Sequence, residues 1–360
     1  AGGAALTEEF HPGYPNSVAS FTVSPVNPKI IRDLGLPRHG PFIVERPARL
    51  RAIAEALKAP AFDSLARHEA SERDDVEAAI LRAHSPAHLN AMRDIVSDTA
   101  HLPYAIDGDT IVSAGTRQAA LHAIAAGVHA ADCVIERSNG IRNAFCPVRP
   151  TGHHAEAERA MGFCFFSNVA IAALHARARH GVERVAVVDF DVHHGNGTQS
   201  IFWSDRNLFY GSTHEMPLFP GSGAVTETGS GNIFNAPLKA GDDGAVFREA
   251  MSNRILPALD AFRPDLILIS SGFDAHDGDP LGHLRLLESD FVWITEKTMG
   301  IAAKRCGGRI VSMLEGGYEL GALGRSVAAH VPTLMTTYKG LQMPFDTVES
   351  RQSLKSALKQ

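Results

Sequence analysis

Residues 184–194 read RVAVVDFDVHH, and this stretch decides the fold. Its first part, RVAVVDF (184–190), is an apolar, β-branched run of the kind that forms a strand buried on both faces of a parallel sheet. The chain then turns abruptly polar. In DFDVHHGNGT (189–198) two aspartates and two histidines occupy the first six positions, and glycines follow. That much ionisable chemistry serves a metal site, a proton relay or a polar loop, and the surrounding chain has to decide which.

Before this strand, NAFCPV (143–148) reads as another strand, and NVAIAALHARARH (168–180) reads as a helix ended by Gly181. After it come a strand at NLFYGSTH (207–214), a helix near 245–262, and a second buried strand at DLILISSG (265–272). A helix near 289–305, a strand in RIVSMLEGG (309–317) and a last helix near 320–338 complete the alternation. Helical patterning also runs through 46–58 and 116–137. Strand–helix alternation of this kind predicts an α/β fold: one domain with a mostly parallel central sheet of about eight strands and helices on both faces. Residues 1–45 carry Pro12, Pro15, Pro25, Pro28, Pro37 and Pro41 and read as irregular. The expected division is a proline-rich arm over 1–42, a catalytic domain over 43–340 and a tail over 341–360.

Composition narrows the function. Of 360 residues, 44% are hydrophobic and 21% charged, enough for a large buried core. A formal charge of −6 and the lack of a long basic run argue against nucleic-acid binding. The four cysteines, Cys133, Cys146, Cys164 and Cys306, are scattered without a CxxC pair, which predicts neither a disulfide framework nor a thiolate zinc finger and suits a reducing compartment. No apolar stretch is read as reaching the roughly 18 residues that span a bilayer. AGGAALTEEF at the start has neither the basic nor the apolar region of a signal peptide. The expected location is the cytoplasm, with no membrane partner.

Asp189 and Asp191 end one buried strand, Asp274 follows the next and Tyr318 follows the third. In open parallel sheets ligands bind beyond the carboxyl ends of the strands, so these residues converge on one rim. Asp191 and His193 lie two positions apart and can point to the same side. With Asp274 they form two carboxylates and one imidazole, which leaves an open position as a catalytic zinc requires. In RPTGHHAEAERAMGFCFFSN (149–168), adjacent His153 and His154 follow a Pro–Thr–Gly turn and can supply a general base and an electrostatic partner beside a metal-activated water. Asp189 is read as holding a histidine ring nitrogen. Tyr318 follows two glycines, which let the backbone come close and aim the phenol at a developing oxyanion. Phe163, beside Gly162, and Phe219 flank turns and can line a slot for an aliphatic chain. Together these residues point to metal-assisted hydrolysis; no GxSxG serine and no P-loop is present.

These motifs resemble the histone deacetylase family of the arginase/deacetylase fold. RPTGHHAEAERAMGFCFFSNVAIA resembles the family's RPPGHHA and GFC-containing stretch, DFDVHHGNGTQ its DxDxHHGNGTQ, and SSGFDAHDGDPLG and LEGGY its last two signatures. The resemblance covers roughly 45–340 and implies a zinc-dependent amidohydrolase that removes acetyl or other acyl groups from lysine. It implies zinc ligation by Asp191, His193 and Asp274, with His154 as general base and acid and His153, paired with Asp189, as electrostatic partner. Tyr318 would bond the scissile carbonyl, and Gly162, Phe163, Phe219 and Leu281 would shape the substrate channel. Asn196 stands where class I members carry aspartate, so an amide orients His154, as in class II. A structural potassium beside the zinc strand would draw on Asp189, Asp191, His193, Ser212 and Thr213. IVERPARL (43–50) lacks the family's His–Pro, and the arm could cover the mouth or join a second subunit.

Three rivals remain. A two-manganese ureohydrolase needs bridging aspartates where this chain has Gly195 and His276. An acetylpolyamine amidohydrolase carries glutamate where this chain has Leu281, and an apolar gate disfavours a cationic tail through desolvation. A non-catalytic acyl-lysine binding module would have lost a ligand or the tyrosine, and all are in place.

Overall fold

The runs with alternating inward positions build the core. A computed structural model of the chain describes residues 17–22, 44–70, 73–97 and 102–336. Its strands are β1 (Ser17–Thr22), β2 (Ala66–Glu69), β3 (Tyr104–Ala105), β4 (Ile111–Val112), β5 (Ile141–Cys146), β6 (Val185–Asp189), β7 (Leu208–Glu215), β8 (Ile233–Leu238), β9 (Leu266–Ser271) and β10 (Ile310–Leu314). Six parallel strands in the order β5-β10-β9-β6-β7-β8 form the helix-flanked sheet, and β1 and β2 extend it beyond β5. The expectation of about eight is therefore corrected: the flanked sheet has six, with two further strands added at one edge. β3 and β4 make a separate antiparallel hairpin.

Every residue of β6, β7, β9 and β10 is buried. Side chains alternate between two cores, as a period of two demands. Ala186, Val188, Ile267, Ile269 and Ile310 join one core; Val185, Val187, Leu266, Leu268 and Val311 join the other. Helices α1 (Ala48–Ala56), α2 (Val76–Ile80), α3 (Pro86–Ser97), α4 (Thr116–Glu136), α5 (Asn168–His180), α6 (Asn196–Phe202), α7 (Gly244–Ala250), α8 (Leu256–Phe262), α9 (Glu288–Cys306) and α10 (Leu320–Met335) supply the covers. Residues of α1, α7, α9 and α10 pack into the first core, and residues of α4 and α5 into the second. The single helix expected near 245–262 is two helices joined by a π-turn at Met251–Ile255.

Three differences from the sequence reading have physical reasons. The arm is not wholly irregular, since Ser17–Thr22 pairs in parallel with both β2 and β5; the rest of 1–42 and the tail over 341–360 lie outside the described residues. Strand β8 has two half-buried positions, Phe234 and Pro237, and lacks the continuous apolar run that exposes its neighbours to view. Helix α4, at 21 residues, is long and apolar enough by composition to cross a membrane, contrary to the reading of no such stretch. Its apolar character is used inside the fold, because 72% of its most apolar window is buried.

Helices α4 and α5 are also joined by charge. Asp132 Oδ1 lies 2.7 Å from both His175 Nε2 and His180 Nε2, and Arg73 donates to Asp132 Oδ2 at 3.0 Å. Against the cost of burial, the two histidines and Arg73 hold the Asp132 carboxyl well below its usual range.

Candidate active site

The carboxyl ends of four neighbouring strands feed one rim. β5 leads into the loop bearing His153 and His154, β6 ends at Asp189, β9 leads to Asp274, and β10 leads through Glu315, Gly316 and Gly317 to Tyr318. β6 stops at Asp189 and the backbone bends through 191–193, so Asp191 and His193 are brought together by that bend and not by strand alternation. His193 Nδ1 stands 3.2 Å from Asp191 Oδ1 and 3.2 Å from Asp274 Oδ2. All three residues are buried.

This trio fits a divalent metal on its own geometry. A tetrahedral ion with ligand bonds of about 2.0 Å has ligand atoms about 3.3 Å apart, close to the separations here. The carboxylates are fixed from behind: Gly316 N–H donates to Asp191 Oδ2 at 2.7 Å and Val192 N–H to Asp274 Oδ1 at 2.9 Å. A Cβ on Gly316 would fall 1.9 Å from Asp274 Oδ2, and one on Gly272 2.0 Å from Asp191 Oδ2, so only glycine lets the backbone cradle both acids. Burial and the Asp191 charge push the Asp274 carboxyl up to about 7. Burial alone would lower His193, but its bonds to Asp191 and Asp274 push it up to about 10. Two buried acids held against one imidazole is the crowding that a cation relieves.

A second group, Asp132, His175 and His180, also places three ligand atoms within 4.8 Å. There both imidazoles sit at hydrogen-bond distance on one oxygen while Arg73 holds the other, which is the geometry of a charge-assisted clamp. Its helices lead into the amino ends of β5 and β6, at the opposite edge of the sheet from the rim.

The histidine pair is braced from two sides. His153 Nδ1 lies 3.1 Å from Asp189 Oδ2, and Tyr210 Oη donates to the same oxygen at 3.0 Å while accepting from Gly195 N–H at 3.0 Å. Burial opposes the charged form of His153, yet Asp191 and Asp189 push it up to about 10. His154 Nδ1 lies 2.9 Å from Asn196 Oδ1, and burial together with His153 and His193 lowers its pKa well below the ordinary value. His154 is thus the neutral member of the pair. His194 faces elsewhere, bonded to Ser222 Oγ at 2.8 Å and Gln199 Oε1 at 3.0 Å.

Tyr318 is buried beside this group, and burial raises its phenol well above the ordinary value, so it remains a donor. Phe163 packs edge-on at 5.9 Å from Tyr318, and Phe219 edge-on at 5.0 Å from His154. Phe219 is 40% exposed and Phe163 half-buried, which suits walls of a channel open at one end. Gly162 lies beneath, where a Cβ would meet His154 Cδ2 at 2.6 Å. Leu281 is half-buried, its N–H on Asp279 Oδ1 at 3.0 Å. Ser212 is the register partner of Asp189 on β7, with Thr213 next to it, both buried.

Sequence reasoning missed Tyr210 and four further residues. Arg49 is fully buried, lies over the Tyr318 ring at 4.8 Å, donates to Gly317 O at 2.6 Å and also bonds Glu315 O and Glu45. Glu315 accepts from Gly152 N–H at 2.7 Å and His153 N–H at 3.2 Å, and burial pushes it up to about 7. Asp279 accepts from Tyr318 N–H at 2.6 Å, and Glu156 accepts from Asn196 Nδ2 at 2.8 Å. Glu315, Asp279 and Glu156 lay inside recognised motifs, and that position was the available signal. Arg49 lay inside the IVERPARL stretch (43–50), but nothing local to that stretch pointed to its partners near Tyr318.

Known proteins are similar to this chain over most of its length. The family model described as the histone deacetylase domain matches residues 43–334. Histone deacetylase 10, chloroplastic, of Oryza sativa subsp. japonica is 38% identical over 297 residues, covering 78% of this chain and 67% of that protein. The histone deacetylase-like amidohydrolase of Pseudomonas aeruginosa is 40% identical over 245 residues, covering 67% of this chain and 63% of that protein. The solved structure of the HDA15 HD domain superposes with a TM-score of 0.78 at 31% identity, covering 96% of this chain and 94% of that one.

Proposed function

The chain belongs to the histone deacetylase family and is a metal-dependent, lysine deacylase-like hydrolase of amide bonds, and on that premise we propose that its metal is zinc, held by Asp191, His193 and Asp274. The observation that carries this reading is the two buried acids and one imidazole, 3.2 Å apart, beside a neutral histidine and a buried phenol. Held by these three residues, zinc would supply Lewis-acid chemistry, lowering the pKa of a water to about 7 and polarising the substrate carbonyl.

The chain's own residues divide the remaining work. His154, neutral and with Nδ1 engaged by Asn196, takes the water's proton at Nε2 and returns it to the leaving lysine amine. His153, held by Asp189, contributes positive charge beside the developing oxyanion. Tyr318 donates its hydroxyl proton in a hydrogen bond to the carbonyl oxygen. Phe163 and Phe219 grip the aliphatic stem and exclude water, with Gly162 leaving room between them and Leu281 closing the rim with an apolar side chain. A potassium ion beside Asp189, Asp191, His193, Ser212 and Thr213 is the structural cation the reading carries with it.

The catalytic unit in this proposal spans 43–340, and its substrate is an acyl-lysine peptide or a small acylated amine. Cytoplasm is the location that fits four buried, unpaired cysteines. A two-metal site is disfavoured: His276 turns to Glu288 at 3.3 Å, and nothing larger than glycine fits at 195. The test is hydrolysis of an acetyl-lysine peptide and of N-acetylated polyamines by zinc-loaded enzyme, with and without a chelator. Peptide turnover that the chelator abolishes supports the reading. Turnover of polyamines alone would move the assignment to an acetylpolyamine amidohydrolase, and no turnover of either would sink the enzyme reading.

A further inference from the structure

We infer that Glu156 is a positioning residue for catalysis, acting through Asn196 to fix which nitrogen of His154 is free; this rests on His154 being the proton carrier. An asparagine amide can face a histidine with either its oxygen or its NH2 group, and the two choices dictate opposite tautomers. If the oxygen faces Nδ1, a neutral His154 carries its proton there and keeps the Nε2 lone pair for the substrate side. If the NH2 faces Nδ1, the proton sits on Nε2 and the base is lost.

The neighbours of Asn196 decide between them. Its Nδ2 lies 2.8 Å from Glu156 Oε1, 3.3 Å from the His154 carbonyl oxygen and 3.4 Å from Met161 Sδ. An ionised carboxylate only accepts, so turning the amide over would set its oxygen against the Glu156 oxygen. The shortest of the three contacts, and the only charged one, is therefore the one that holds Oδ1 toward His154 Nδ1 at 2.9 Å. Glu156 is itself anchored by a tight turn, with Glu156 N–H donating to Arg159 O at 2.9 Å. Glu156 and Asn196 share the wall of a cavity of about 510 Å³ with Arg159, Gln199 and Trp203. No part of Glu156 needs to touch substrate for this effect.

The experiment is a double-mutant cycle on the metal-loaded enzyme with an acetyl-lysine peptide, with metal content and circular dichroism checked for every variant. Outer partners of this kind typically contribute about 10–100-fold. Glu156→Ala is expected to lower kcat by about tenfold or more with KM changed less than about threefold. Glu156→Gln, whose amide oxygen can still accept, should recover most of the loss. Asn196→Ala and the double variant Glu156→Ala/Asn196→Ala should have the same kcat, because Glu156 has nothing left to orient. Unchanged kcat in Glu156→Ala, or a full further loss in the double variant, overturns the inference. If His154→Ala retains turnover, the failure lies in the role given to His154 and not in Glu156.

Discussion

A methyl group at position 195 would stand 2.5 Å from Asp189 Oδ2 and 2.6 Å from Tyr210 Oη, inside the bonds that brace His153. Gly195→Ala is therefore expected to lose about 1–3 kcal/mol of stability from overpacking, read as a lower denaturation midpoint, and to lose activity as His153 is displaced. The sequence reading took this glycine as a missing bridging carboxylate; the packing around it adds a steric reason that no spacing could reveal. Tyr318→Phe should reduce turnover by about a hundredfold or more while metal content stays constant, since one oxyanion donor is worth that much; near-normal turnover would remove Tyr318 from the mechanism. Most of the candidate site could be read in the sequence because its residues fall in short polar runs at strand ends. Arg49 could not, because its partners Gly317 and Glu315 lie more than 260 positions away.

At the level of elements, the long strands announced themselves through continuous apolar runs and the helices through capping glycines such as Gly181. β1 stayed hidden because it sits in a proline-rich segment and gains its place only by pairing with β2 and β5. The clamp between α4 and α5 was equally hidden, since Asp132, His175 and His180 meet only when the helices pack. Asp132→Asn should destabilise the fold by about 1–3 kcal/mol at neutral pH, as removing the charged partner of buried donors does. The sign with pH follows from a carboxyl held below its ordinary value of 3.8. Its contribution is fully present above that value and is lost as pH falls through the lower folded-state value. Thermal denaturation of the two proteins should converge toward acid pH; a gap that widens there would contradict the clamp.

For the molecule as a whole, the sheet exists to bring four strand ends to one rim, and the family match over residues 43–334 spans those four strands. Substrate choice is set at the mouth of the channel. Leu281→Glu should shift the ratio of turnover toward acetylated polyamines by placing a carboxylate where a second ammonium arrives, and an unchanged ratio would locate the gate elsewhere. The central claim is that hydrolysis runs through one metal at Asp191, His193 and Asp274. Its most direct test is zinc titration of chelated enzyme against an acetyl-lysine peptide, with Asp191→Ala in parallel. The account predicts that activity returns with a single equivalent of zinc and that Asp191→Ala neither holds that equivalent nor turns over. Full activity in the chelated enzyme, or in Asp191→Ala, would contradict it.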